Sequence, residues 1–203
     1  MTIIVNRQDY EALSDKLSDG MSFYCIRRPS HASKYRDQGP LESVESLLPK
    51  AAAIANEGPI EILQDDTFFA CENGRMKLRA FSKEKGELIF YRRANQQGPK
   101  ESFYLRSPTS SPDTLREALS QAYGQAGRVQ KLRTLFMIGR TRVHLDRVKH
   151  LGHFLELEVV LQEGESVGMG IKEAHNLMAQ LGVEPSQLIE GAYIDLLSQT
   201  GAY

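Results

Sequence analysis

The chain has 203 residues, 41% hydrophobic and 25% charged, with a net charge of -1 at pH 7. This suits one globular domain with a single core, and the balanced charge excludes bulk electrostatic attraction to nucleic acid or to an anionic membrane. Cys25 and Cys71 lack metal-like spacing and are too few for a disulfide scaffold, and neither a signal peptide nor a membrane span is visible, so a soluble cytoplasmic protein is expected.

In chain order, residues 3–5 read as a very short strand. Tyr10, Leu13 and Leu17 recur at helical spacing, predicting a helix over 8–17 ended by Gly20, with a strand at 22–27. Residues 27–40 are polar, bounded by Pro and Gly, and lack periodicity, which predicts an irregular connection. Leu41, Val44, Leu47, Leu48, Ala51 and Ile54 make one apolar stripe, so a helix is expected over 41–56, stopped by Gly58-Pro59. A strand at 60–71 meets Asn73-Gly74, a hairpin signal, and 75–81 returns from it. Strands at 87–93 and 100–106 form a second hairpin around Gln97-Gly98-Pro99. A helix follows over 113–123, with Pro112 and Asp113 near its start and Gly124 at its end. Three strands in meander order (129–138, 140–148 and 154–161) precede a helix over 171–181 closed by Gly182, and 186–197 is helical or turn-like.

The strands carry charge on alternate positions. Arg140, Arg142, His144 and Asp146 share one face, opposite Thr141, Val143 and Leu145; after the turn, Glu156 and Glu158 oppose Leu155, Leu157, Val159 and Leu161. Arg75, Lys77 and Arg79 alternate with apolar residues, Tyr91 and Arg93 lie on the face of Ile89, Lys100, Ser102, Tyr104 and Arg106 share a side, and so do Lys131 and Arg133. A sheet with one wet face alternates in this way, and that reading stays open for any single strand. A solvated face usually mixes signs, because like charges across a sheet destabilise it, whereas four of these faces are nearly all basic. If they converge, Arg and Lys suit the oxygens of a compact polyanion, and Asp146, Glu156 and Glu158 suit a hard divalent cation.

The segments QDDTFF (64–69), GRMKLR (74–79), GELIFYRR (86–93), KESFY (100–104), VQKLRTLF (129–136), TRVHLD (141–146), LGHFLELE (151–158) and LIEGAYIDLL (188–197) resemble, in order, the CYTH superfamily of class IV adenylate cyclases, thiamine triphosphatases and inorganic tripolyphosphatases. They are most similar to its class IV adenylate cyclase-like branch. The resemblance implies an α+β fold, a closed antiparallel eight-stranded β-barrel (the triphosphate tunnel) flanked by helices, with a charged interior and an apolar outer face. Residues 41–203 would form this tunnel domain. Residues 1–40 would be a divergent N-terminal segment that supplies a replacement strand, mediates an oligomer such as a homodimer, or is disordered. Carried over by motif, Lys77, Arg79, Arg93, Lys100, Lys131, Arg133 and Arg142 match triphosphate-binding positions, and Asp146, Glu156 and Glu158 match positions that hold Mg²⁺ or Mn²⁺.

The implied function is a metal-dependent, triphosphate-processing enzyme. It would convert ATP to cyclic AMP and pyrophosphate, or hydrolyse a triphosphate such as thiamine triphosphate or tripolyphosphate; no individual catalytic residue is identified. Members of the family usually begin with Glu-x-Glu-x-Lys on the first tunnel strand, and no such motif precedes Leu41. If residues 30–34 are its remnant, Ser30 and Ala32 replace the glutamates and Lys34 survives. That departure supports an alternative, a weak or inactive polyphosphate- or nucleotide-binding module, ahead of a helix-covered barrel unrelated to phosphate.

The other candidates have plainer readings. His144, His150 and His153 flank a turn without a recognised ligand spacing and read as surface residues; His175 reads as solvated. Cys71 reads as a small buried hydrophobe, and Asp65-Asp66 as turn or strand-edge charge.

Overall fold

The structure, a computed structural model, describes residues 34–41, 43–93, 102–162, 164–184 and 192–200. The expected elements at 3–5, 8–17 and 22–27, the turn at 97–99, and Cys25, Ser30, Ala32 and Lys100 lie outside the described residues. The strands are β1 (Lys34–Leu41), β2 (Glu57–Phe69), β3 (Arg75–Ala80), β4 (Gly86–Arg93), β5 (Ser102–Thr109), β6 (Gln125–Ile138), β7 (Thr141–Val148) and β8 (Gly152–Val160). The helices are α1 (Leu48–Ile54), α2 (Pro112–Tyr123), α3 (Val167–Leu181) and α4 (Tyr193–Thr200). The strands make one antiparallel sheet in the order β1-β8-β7-β6-β2-β3-β4-β5, giving the expected α+β class. Among the described residues the pairing does not continue from β5 to β1.

Two expectations change. The expected irregular connection is, from Lys34 on, strand β1, paired along its length with β8. Its sequence, KYRDQGPL, contains no β-branched residue, so the pairing partner rather than local propensity makes it a strand. The expected helix over 41–56 shrinks to α1, because Pro49 fits only the first turn and so fixes where the helix begins. The apolar stripe survives across the preceding turn: Val44, Leu47 and Ala51 are all buried. The Asn73-Gly74 hairpin holds, with Phe69 opposite Met76. Gly182 ends α3 in the left-handed conformation, its N–H donating to the Ala179 and Met178 carbonyls, and α2 ends at Gly124 as expected.

Packing divides the two faces of the sheet. On one face Phe136, Val143, Leu145, Leu155, Leu157 and Val159 are buried beneath α1 and α3, against Val44, Ala51, Ala174, Leu177 and Leu181. A buried leucine of this kind contributes about 1.5–3 kcal/mol, which is what fixes the register of β7 and β8. On the other face, Phe68, Val129, Val148 and Phe154 pack against Tyr193, Ile194 and Leu197 of α4, an apolar floor at one end of that surface. The remainder of that second face carries the charged side chains, interspersed with Ile89 opposite Lys77, Ile62 opposite Arg133 and Leu135 opposite His144.

Candidate functional site

Burial decides between a solvated face and the lining of a site. His144 is 3% exposed, Asp146 0%, Glu156 5% and Glu158 8%. Lys131 and Arg133 are buried on the neighbouring strand as well. A face open to water would leave such side chains exposed, so this surface is a buried polar cluster. Buried charge is tolerated only when compensated, and the compensation follows a repeated plan.

On β2 and β3 the register sets Asp66 opposite Arg79 and Phe68 opposite Lys77. Asp66 Oδ2 accepts from Lys77 Nζ at 2.6 Å, while Arg79 donates through Nε (2.7 Å) and Nη2 (2.8 Å) to its two oxygens. Burial opposes ionisation of Asp66, but the charges of Arg79 and Lys77 win and hold the carboxyl well below the usual range. Lys77 is pushed down to about 7, by burial first and by Arg79 second, with Asp66 pulling the other way. Its ammonium lies 5.4 Å from the Phe68 ring centroid.

The same arrangement recurs on β6 and β7, where Arg133 stands opposite Asp146. Lys131 Nζ donates to Asp146 at 2.9 Å, and Arg133 Nε and Nη2 both donate at 2.7 Å. Tyr193 of α4 adds its hydroxyl at 2.9 Å, and the Lys131 ammonium lies 4.8 Å from the Tyr193 ring centroid. Burial and Arg133 push Lys131 down to about 8, against the pull of Asp146 and Glu156. Two Lys-x-Arg strands therefore each hold an aspartate from a neighbouring strand. The two groups feel each other, since Arg79 depresses Lys131 and Lys131 depresses Lys77.

A third group lies across β7 and β8, whose register sets His144 opposite Glu156 and Arg142 opposite Glu158. Arg133 Nη2 reaches Glu156 Oε2 at 2.8 Å, and Arg142 Nη1 reaches Glu158 Oε1 at 2.8 Å. His144 Nδ1 lies 3.2 Å from Glu156 Oε1. Burial and the Arg133 charge push the imidazole pKa down, and Glu156 only partly offsets them. One ligand atom from each of His144, Glu156 and Glu158 lies within 4.8 Å of the others.

Five of the expected cations, Lys77, Arg79, Lys131, Arg133 and Arg142, thus share one face of the sheet with Asp146, Glu156 and Glu158. Arg93 ends β4 opposite Ser102, and Lys100 lies outside the described residues. That face is not a purely basic surface with one acidic corner. Asp66 is buried among the cations and is not turn charge, and Glu87 accepts from Arg106 Nε at 2.8 Å. His144 is buried in the site and is not a surface residue, while His150 is exposed and His153 Nδ1 accepts from the Val44 N–H. Arg140 and Arg75 leave the array: Arg140 pairs with Glu165 and Glu173, and Arg75 with Asp195 of α4. Arg140 stands in the turn before β7, where strand parity no longer holds, whereas Arg75 keeps its place in β3 opposite Tyr91 and meets α4, which packs on that same face.

Sequence reasoning missed Asp66, Gln64, His144 and Tyr193. Gln64 is buried opposite Lys131, and its Oε1 has no hydrogen-bond partner among the described residues. The alternation Gln64, Asp66, Phe68 was there to be read, but the adjacent Asp65 disguised it. Among the described residues, no helix is long and apolar enough to cross a membrane.

The CYTH domain profile matches residues 40–193. No curated protein matches the chain. Among solved structures, the chain is similar to PH1012 protein from Pyrococcus horikoshii (TM-score 0.68, 19% identity, 80% of this chain and 98% of that one). It is similar to a conserved hypothetical protein from Pyrococcus furiosus (TM-score 0.69, 16% identity, 81% and 99%). It is also similar to a Vibrio parahaemolyticus protein provisionally named an adenylate cyclase (TM-score 0.66, 16% identity, 82% and 98%). At these identities the neighbours speak for the fold, and the profile speaks for the family. The chain belongs to the CYTH domain family.

Proposed function

We propose that the protein is a metal-dependent, triphosphate-processing enzyme whose sheet closes into a tunnel around its substrate. The observation that carries this reading is the pair of Lys-x-Arg strands on one face of the sheet, half-buried at Lys77 and Arg79 and buried at Lys131 and Arg133. Such an array is costly to bury and suits a ligand with several anionic oxygens, which Arg and Lys bind as strong charge-assisted donors. Asp66 and Asp146 hold the cations in place beforehand, so little reorganisation is needed when phosphoryl charge arrives. Arg142, held by Glu158, extends the array, and Arg93 and Lys100 are assigned to the same ligand by motif. Asp146 is engaged by Lys131, Arg133 and Tyr193, and its assigned part is to orient those groups.

Mg²⁺ or Mn²⁺ fits the donor set that Glu156 and Glu158 bring to that face. Both carboxylates are buried and each is oriented by an arginine through one oxygen. The ion would neutralise phosphate charge and lower the pKa of the attacking hydroxyl or water. The chain's own groups then decide position. Either the ribose hydroxyl of ATP attacks the α-phosphorus and expels pyrophosphate, or water attacks the terminal phosphorus. Incubation with ATP and with tripolyphosphate in Mg²⁺ and Mn²⁺ separates these outcomes by cyclic AMP or by orthophosphate.

A second reading, a polyphosphate-binding module without turnover, is favoured by the register of β1. Opposite Glu156 and Glu158 stand Gln38 and Arg36, so the positions that share their pairing on the first strand are not carboxylates. Tripolyphosphate binding without product in either metal selects this reading. Absence of both binding and product overturns both.

A further inference from the structure

The charged face carries a nitrogen donor that the triphosphate reading does not use. His144 lies on β7 directly opposite Glu156, on the face shared with Glu158, and is buried beside both. Its Nδ1 meets Glu156 Oε1 at 3.2 Å, while Arg133 holds Glu156 through Oε2 and Arg142 holds Glu158 through Oε1. One ligand atom from each of the imidazole and the two arginine-held carboxylates lies within 4.8 Å of the others.

We infer that His144 is a third ligand beside Glu156 and Glu158, and that this nitrogen makes the site prefer a first-row transition ion such as Mn²⁺ to Mg²⁺. The inference rests on the metal-dependent reading above and deepens it. Mg²⁺ is a hard ion that prefers oxygen donors and gives up its water reluctantly, whereas imidazole nitrogen suits the transition ions. Two carboxylates alone would discriminate little between Mg²⁺ and Mn²⁺, so the preference resides in one side chain. The competing role for His144 is donation of an Nδ1–H to Glu156, which would make it a positioning residue with no direct metal contact.

Mn²⁺ added to the full chain, without substrate, is followed by electron paramagnetic resonance. The inference predicts loss of the free-ion signal on binding, together with nitrogen-14 modulation from a coordinated imidazole in the electron spin echo. In His144→Gln the nitrogen modulation disappears and Mn²⁺ affinity falls about tenfold, while Mg²⁺ affinity, measured by competition, changes little. Bound Mn²⁺ without nitrogen modulation in the unaltered protein overturns the inference and leaves the metal-dependent reading standing. Failure of Mn²⁺ and Mg²⁺ to bind at all overturns both. The wild-type spectrum carries the test even if the glutamine variant folds poorly.

Discussion

Asp66 offers a sharp test of the buried charge array, because Asp65 beside it serves as a control. Asp66 is buried and takes three hydrogen bonds from Lys77 and Arg79. Asp66→Asn keeps the shape but removes the only carboxylate that those bonds reach, and breaking one side of a buried pair costs about 3–5 kcal/mol. Lys77, already lowered to about 7, can release its proton at pH 8, which places the expected loss near the lower end. For a chain of this size about 3 kcal/mol corresponds to a fall in Tm of roughly 6–12 °C. Asp65 instead pairs chiefly with Arg128, which is 45% exposed, and keeps only a long 3.7 Å contact with Arg116, so Asp65→Asn should cost about 1 kcal/mol. Calorimetric melts at pH 8 measure both. The folded pKa of Asp66 is depressed, so its contribution is present above the unfolded value of about 3.9 and is lost as pH falls through the folded one. The gap between wild type and Asp66→Asn should therefore persist through neutral pH and close only in strong acid. Equal melting temperatures for the two variants at pH 8 would refute the argument.

Other consequences are as direct. Lys77 and Lys131, lowered to about 7 and about 8, lose their protons as pH rises, so tripolyphosphate affinity should fall between pH 7 and 9. Calorimetric titrations across that range check this, and a flat profile contradicts it. The sign for stability is opposite: above their folded values and below about 10.4, the unfolded chain binds the extra protons, so this part of the stability rises with pH. Tyr193→Phe removes one donor to a charged acceptor that Lys131 and Arg133 still hold, and should cost about 1–2 kcal/mol in denaturant melts. Leu157→Ala, at a fully buried position beneath the helices, should cost about 2–5 kcal/mol without altering which ligand binds.

Much of this architecture could be read from the chain. The strands around residues 140–161 alternate so strictly that the division between an apolar face under helices and a charged face follows from parity and the resemblance. Where the reading failed, a non-local cause took over. β1 is a strand because β8 pairs with it, which its own composition does not announce. Pro49 shortened α1 while leaving its stripe buried. Parity was carried one residue too far at Arg140, across the Gly139 turn, and the side chain went to α3 instead. The largest gap concerned sign. Separate strands looked basic because the carboxylates that neutralise them, Asp66 and Asp146, come from neighbouring strands and meet the cations only in the folded sheet.

The central claim is that the face carrying the two Lys-x-Arg strands holds a triphosphate. Isothermal titration of tripolyphosphate into wild type, Lys77→Ala and Arg133→Ala, with melts to verify folding, tests it most directly. The account predicts saturable binding to wild type and at least a tenfold loss in each variant, about 1.4 kcal/mol or more. Unchanged affinity in both variants would contradict it.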